Sequence, residues 1–165
     1  MSEFDIRLVR LEKLRVACVH GFGTQPELQA WEKMADFAGA RGYLNDPSLH
    51  RIFGFNNPDP TPGSPNYGYE LWITVDPDVA AEGEVEVKEF PGGLYAVARC
   101  EATGDPYEVI PATWQRLVVW REQSAYQPGS QQWLEEHLPA QGRGLVETAG
   151  GALVLDLYLP LAEPR

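Results

Sequence analysis

Short apolar runs and alternations divide the chain into the order strand, helix, strand, strand, and that order then returns. Residues 4–11 alternate loosely, and residues 15–20 (RVACVH) read as a short buried strand. A Gly21-Phe22-Gly23 turn leads to a helix start, with Thr24 as a capping hydroxyl, Pro26 in the first turn and Glu27 closing a capping box. Trp31, Met34, Ala35 and Ala38 follow at helical spacing with Phe37 beside them, and Gly42 ends the helix. Residues 50–55 and 68–75 predict strands. In the second half, residues 85–90 and 94–100 predict strands, and Asp105-Pro106-Tyr107-Glu108 starts a helix. That helix carries Trp114, Leu117, Val118 and Arg121, with Trp120 beside them, and residues 132–138 and 155–161 predict the closing strands.

The halves match in more than order. Trp31 and Trp114, Met34 and Leu117, Phe37 and Trp120, and Tyr43 and Tyr126 are each 83 positions apart. A period this long marks a doubled half-domain, not a solenoid. The prediction is one α+β domain over residues 1–165, made of two βαββ units (about 4–80 and 84–161) related by a pseudo-twofold axis. Its sheets are antiparallel, with helices on one face and a ligand groove on the other. Four prolines between Asn56 and Asn66 make a stiff surface connection inside the first unit. Residues 76–83 join the units, and the glycine-rich residues 139–151 read as a mobile loop.

Each helix needs an apolar face of sheet to cover. Alternation assigns Leu71, Ile73 and Val75, then Leu155, Leu157, Leu159 and Leu161, and also Leu134 and Leu138, to that face. The opposite face then carries Glu70 and Trp72, Asp156 and Tyr158, and Trp133, Glu135 and His137. Aromatic rings interleaved with carboxylates are unlike ordinary solvent-facing strand positions. They suit a groove that stacks on flat apolar groups and neutralises a positive charge. A homodimer interface or a second minor core would use the same residues, and both stay open at this point.

Charge and composition narrow the field. A net charge of -11, from 24 acidic and 13 basic residues, disfavours direct contact with nucleic acid, which needs a basic patch. No apolar run approaches the roughly 20 residues of a membrane span. The N-terminus lacks the basic-then-apolar order of a secretion leader, so the expectation is a soluble cytoplasmic protein. Cys18 and Cys100 lie in apolar strand patterns and read as buried free thiols. His20, His50 and His137 are scattered, and neither a metal nor a cofactor is expected. Pro26 stands where a G-x-G-x-x-G begun at Gly21 would need its last glycine, so that stretch is a turn rather than a dinucleotide site.

The chain resembles the GyrI-like family, also called the AraC-type effector-binding domain. The likeness spans about residues 4–161. It rests on YGYELW at 67–72, VKEFPGGLYAV at 87–97, Trp114, Leu117 and Trp120 at steps of three, and WLEEHL at 133–138 followed by LDLYLP at 155–160. The resemblance implies a doubled βαββ fold whose central groove binds hydrophobic, often cationic, drug-like molecules, commonly as the sensor part of a transcription regulator. It also implies a glutamate, on the strand before the last long loop, that pairs with the ligand's charge. Glu135 holds that position; Glu136 is one register away, and alternation favours Glu135 because Glu136 shares a face with Leu134 and Leu138.

No DNA-binding segment stands out beside the domain. The leading expectation is therefore a stand-alone binder of small cationic aromatic molecules, with a homodimer or a separate regulator chain left open. The resemblance also admits a hydrolase of strained, electrophilic cyclopropanoid compounds. In that case Glu135 or Glu70 is the acid or base, and Tyr69 or Tyr126 polarises the substrate. A third alternative is an inhibitor that binds a protein such as gyrase.

Overall fold

The predicted strands form, and they join into one curled antiparallel sheet. The computed structural model describes residues 5–46, 48–102, 105–138 and 153–164. The strands are β1 (Ile6–Leu11), β2 (Leu14–Gly23), β3 (Ile52–Asn56), β4 (Tyr67–Thr74), β5 (Glu86–Phe90), β6 (Gly93–Ala102), β7 (Gln127–Pro128), β8 (Leu134–Leu138) and β9 (Leu153–Ala162). The helices are α1 (Pro26–Ala40) and α2 (Pro106–Gln123). Glu27 does not close the expected capping box. The helix begins after Gln25, whose side chain makes no capping bond, and Glu27 instead accepts hydrogen bonds from the Tyr67 hydroxyl at 2.5 and 2.8 Å.

The sheet order is β1-β6-β9-β8-β3-β4-β2-β5, with β7 on β9. Read from its two ends, β5-β2-β4-β3 answers β1-β6-β9-β8, and β3 meets β8 at the centre. The outermost strand of each side comes from the other half of the chain. β1 pairs with β6 although it leads into β2, and β5 pairs with β2 although it leads into β6. The two connections cross in close contact: Gly92, at φ 81°, would place a Cβ 2.1 Å from the Leu11 carbonyl oxygen. Strand patterns alone do not show this exchange, because it lies in the pairing and not in the alternation.

Both helices lie on one face. Register places Ile52 opposite His137 and His137 opposite Leu155, so these three share a side of the sheet. Ile52 packs in the α1 cluster with Ala30, Met34, Phe37, Leu71 and Ile73, and Leu155 packs in the α2 cluster with Leu117, Leu157 and Leu159. Helix α1 lies over β2 and β4, and α2 over β6 and β9. The central pair β3–β8 runs between them.

The other face is buried too. Val16, Cys18, Phe53, Trp72, Phe90, Tyr95, Val97, Leu134 and Tyr158 form one cluster there, drawn from both ends of the sheet. They meet only because the sheet twists and curls into a half-barrel. This corrects the assignment of β8. Leu134 packs inside the half-barrel, opposite Tyr158, while Glu135 and His137 lie on the helix side with Leu157 and Leu155. The rule that apolar residues face a helix fails for a sheet with two apolar faces. Cys18 and Cys100 are buried on opposite sides of that sheet. Among the described residues no helix is long and apolar enough to cross a membrane. The loop expected at 139–151 lies outside the described residues, apart from its flanking strands.

Candidate functional site

The central strands β3 and β8 meet between the two helices, and there Gly54 makes room for a side chain from a neighbouring strand. Gly54 on β3 faces Glu135 on β8, and a Cβ on Gly54 would stand 2.3 Å from the Tyr69 hydroxyl. With no side chain at 54, the Tyr69 ring on β4 reaches across β3 to the neighbouring strand. Its hydroxyl donates a hydrogen bond to Glu135 Oε1 at 2.9 Å and lies 3.0 Å from His137 Nε2. The Trp31 ring of α1 meets the His137 ring edge-on at 5.0 Å.

Glu135 borders a cleft of about 380 Å³. Phe55, Asn56 and Asp59 line it from the end of β3, Gln132 and Trp133 from the approach to β8, and Trp114 from α2. Trp133 is 41% exposed, tilts against Trp114 at 5.2 Å and sits below the Arg121 guanidinium at 5.9 Å. Trp114 Nε1 points at Glu135 Oε2 across 3.4 Å. None of the ion pairs among the described residues involves Glu135. Burial raises its carboxyl above the usual range. Hydrogen bonds from Tyr69 and Trp114 pull it down in part, and the charge of Glu27 adds to the rise. His137 is enclosed, and burial lowers its imidazole to about 4, so it is neutral near pH 7.

Adjacent Glu136 is a different group. It takes a two-pronged bond from Arg51, both contacts 2.9 Å, and a further bond from the Tyr158 hydroxyl at 2.7 Å. The face expected to be shared by all seven candidates is therefore divided. Trp72, 5% exposed, is core between Phe55 and Phe90, and Tyr158 is core beside Phe53 and Tyr95. Asp156 is buried and held by Arg7 at 2.8 Å and Arg99 at 2.5 Å. Glu70, on the half-barrel side, is met by Lys88 at 2.7 Å, Trp72 Nε1 at 2.5 Å and Asn57 at 3.1 Å. Burial pushes its carboxyl up, but those three bonds and the Lys88 charge outweigh it and hold it below the usual range. Glu70 lines a second, separate hollow with Cys18, His20, Asn57, Glu84, Glu86 and Lys88.

Of the seven, only Glu135 and Trp133 line the Glu135 cleft, with His137 behind it. Tyr69 reaches Glu135, whereas Tyr126 stacks on Trp120 beside α2. Trp114, Phe55, Asn56, Asp59 and Gln132 were not singled out as site residues. Trp114 carried a signal, since it matches Trp31 at an offset of 83 residues. Asp59, in the proline-rich connection, carried none. Among the described residues no group of three His, Cys, Asp or Glu is placed to hold a metal.

Comparison with solved structures finds the same fold repeatedly. The C-terminal domain of EcmrR matches with a TM-score of 0.69 at 13% identity, over 97% of this chain and 98% of that one. A hydrolase from Listeria innocua matches at 0.61 and 12%, over 98% and 94%. SAV2435, solved with tetraphenylphosphonium bound, matches at 0.50 and 16%, over 96% and 94%. A comparison with curated proteins by sequence finds no match. The model of one family, integron-associated effector-binding protein, matches residues 7–161. With nearly the whole chain matched and the GyrI-like fold in place, the protein belongs to this effector-binding family.

Proposed function

We propose that the cleft beside Glu135 binds an organic cation with flat or aromatic surface, as an effector to be sensed or sequestered. One observation carries this reading: Glu135 is a largely enclosed carboxylate with aromatic neighbours and no cationic side chain paired to it. Such a charge is costly to bury alone, and a bound cation offsets that cost. Trp114 and Trp133 offer ring surface, each adding about 0.5–2 kcal/mol of cation–π attraction. The cleft volume falls within the roughly 300–1,000 Å³ of small-molecule sites. The tetraphenylphosphonium carried by SAV2435, a protein of this fold, makes a suitable probe. Titrating it against tryptophan fluorescence tests the reading: saturable quenching that Glu135→Gln weakens supports it, and no quenching at any concentration defeats it.

A second reading has one observation in its favour. A carboxyl with a raised pKa, hydrogen-bonded to a phenol at the edge of a cleft, has the makings of a general acid. The hydrolase expectation therefore keeps Glu135 with Tyr69 and drops Glu70, whose Lys88 partner holds it ionised, and Tyr126. Product analysis after incubation with electrophilic ring compounds separates turnover from binding.

A further inference from the structure

The group behind Glu135 has a composition that its neighbours do not explain. Glu135 faces Tyr69 from β4, Trp114 from α2, Cys100 from β6 and, more distantly, Glu27 on α1 and Asp59 at the cleft mouth. None of these is a cation, the Arg121 guanidinium over Trp133 makes no ion pair with Glu135, and Glu27 raises the carboxyl further. Hydrogen bonds are therefore all that the empty cleft has for holding Glu135 charged. The stronger of them comes from Tyr69, whose oxygen lies 3.0 Å from His137 Nε2 and donates its proton to Glu135 Oε1, 2.9 Å away. A phenol has one proton to give, so the directions of the two bonds are linked.

We propose that His137 is a positioning residue for the cation site, acting on Glu135 through the Tyr69 hydroxyl. With a cation bound, His137 Nε2–H donates to the Tyr69 oxygen, and Tyr69 donates to the Glu135 carboxylate. With the cleft empty and Glu135 protonated, every bond reverses: the carboxyl donates to Tyr69, and Tyr69 donates to His137 Nε2, whose proton now sits on Nδ1. The balance between the states is one proton. Glu135 loses it, Tyr69 keeps one, and the imidazole keeps one but exchanges Nδ1 for Nε2. Cation binding thus releases a proton wherever the free carboxyl is protonated. Only a neutral imidazole serves in both states, which fits the strongly depressed basicity of this buried ring. The donor that His137 supplies to the Tyr69 oxygen strengthens the bond from Tyr69 to the carboxylate. This rests on the cation-binding reading and assigns His137 a place behind the ligand rather than against it.

The test is tetraphenylphosphonium binding from pH 5 to 9, with calorimetry in buffers of different ionisation enthalpy to count released protons. It is run on wild type, His137→Phe, His137→Gln and Tyr69→Phe. Affinity in wild type should rise with pH and level off, with up to one proton released below the midpoint. In His137→Phe the midpoint should move up by about one unit, leaving binding roughly tenfold weaker below it and nearly equal above it. His137→Gln, whose amide both donates and accepts, should recover most of the shift. A merely structural role would weaken binding by one factor at every pH, with no recovery in the amide variant. If His137→Phe does not fold, His137→Leu must show the raised midpoint in its place, and in the Tyr69→Phe background a further His137→Gln change must leave the midpoint unmoved. With Tyr69 in place, binding with an unmoved midpoint, or with no proton released at any pH, overturns this inference and leaves the cation site standing. Absence of binding in wild type overturns both.

Discussion

Glu135 and Glu136 are neighbours on one strand whose carboxylates go to opposite sides of the sheet and meet opposite fates. Glu136 is neutralised by Arg51 at 2.9 Å inside the half-barrel. Glu135 meets a phenol and an indole at the edge of a cleft and pairs with no cation among the described residues. One is tied into the fold by an ion pair, and the other is the group to which the proposed function assigns the ligand's charge.

The pair predicts a reciprocal experiment. Glu136→Gln leaves Arg51 half-buried without its counter-charge and should destabilise the protein by roughly 3 kcal/mol while sparing cation binding. Glu135 behaves in the reverse way. Its folded pKa lies above its unfolded one, so its stabilising share is present at low pH and is lost as pH rises through the folded value. At neutral pH Glu135→Gln should therefore raise the melting temperature while weakening the ligand. Thermal melts of the two variants at pH 7 check the opposed signs.

The sequence made the strands and helices legible, and the split between Glu135 and Glu136, but not the faces. Alternation across residues 134–138 is clear, yet it does not say which side is which when both sides of the sheet are buried. Leu134 was assigned to the helices and packs in the half-barrel, and that inverted Glu135 and His137 relative to Trp72 and Glu70. The separation of Glu135 from Glu136 survived the inversion, because alternation fixes their difference whichever side is named. Asp156 and Tyr158 looked like groove residues because their partners, Arg7, Arg99 and Arg51, lie 50 or more positions away. Asp59 joins the cleft from a connection with no periodic pattern to read, and Gln132 lies just before β8 although the strand was expected from residue 132.

Gly54 predicts a steric effect with a functional consequence. A methyl group there would meet Tyr69 ring atoms at 2.3 to 2.8 Å, in a buried position with no free space to relax into. Gly54→Ala should cost about 1–3 kcal/mol of stability and should displace Tyr69 from Glu135. Double-mutant analysis with Tyr69→Phe checks the second point: removing a hydroxyl that has already been displaced should add little to the loss of affinity.

His137 predicts an acid limb. Its folded pKa of about 4 lies below the unfolded value near 6.5, so the unfolded chain takes up the proton first as pH falls. Stability that is complete above about pH 6.5 should decline toward pH 4, by up to roughly 3 kcal/mol from this group. Urea unfolding of wild type and His137→Gln at pH 7 and 4.5 isolates the contribution. The variant should show a shallower decline, and parallel declines would remove His137 from it.

Trp114 and Trp133 predict a loss confined to the ligand. Trp133 is exposed, so Trp133→Ala should change stability by less than about 0.5 kcal/mol and weaken an aromatic cation several-fold. Trp72→Ala, by contrast, empties the half-barrel core and should cost about 3–5 kcal/mol. Parallel melts and titrations of the two variants check the contrast.

The central claim is that Glu135 supplies the charge for a bound cation, and paired titrations of wild type and Glu135→Gln test it most directly. One ligand is tetraphenylphosphonium and the other is triphenylphosphine oxide, an aromatic compound without the charge. The account predicts that the variant loses at least about tenfold in affinity for the cation and less than about twofold for the neutral compound. Equal losses for both ligands, or none for the cation, would contradict it.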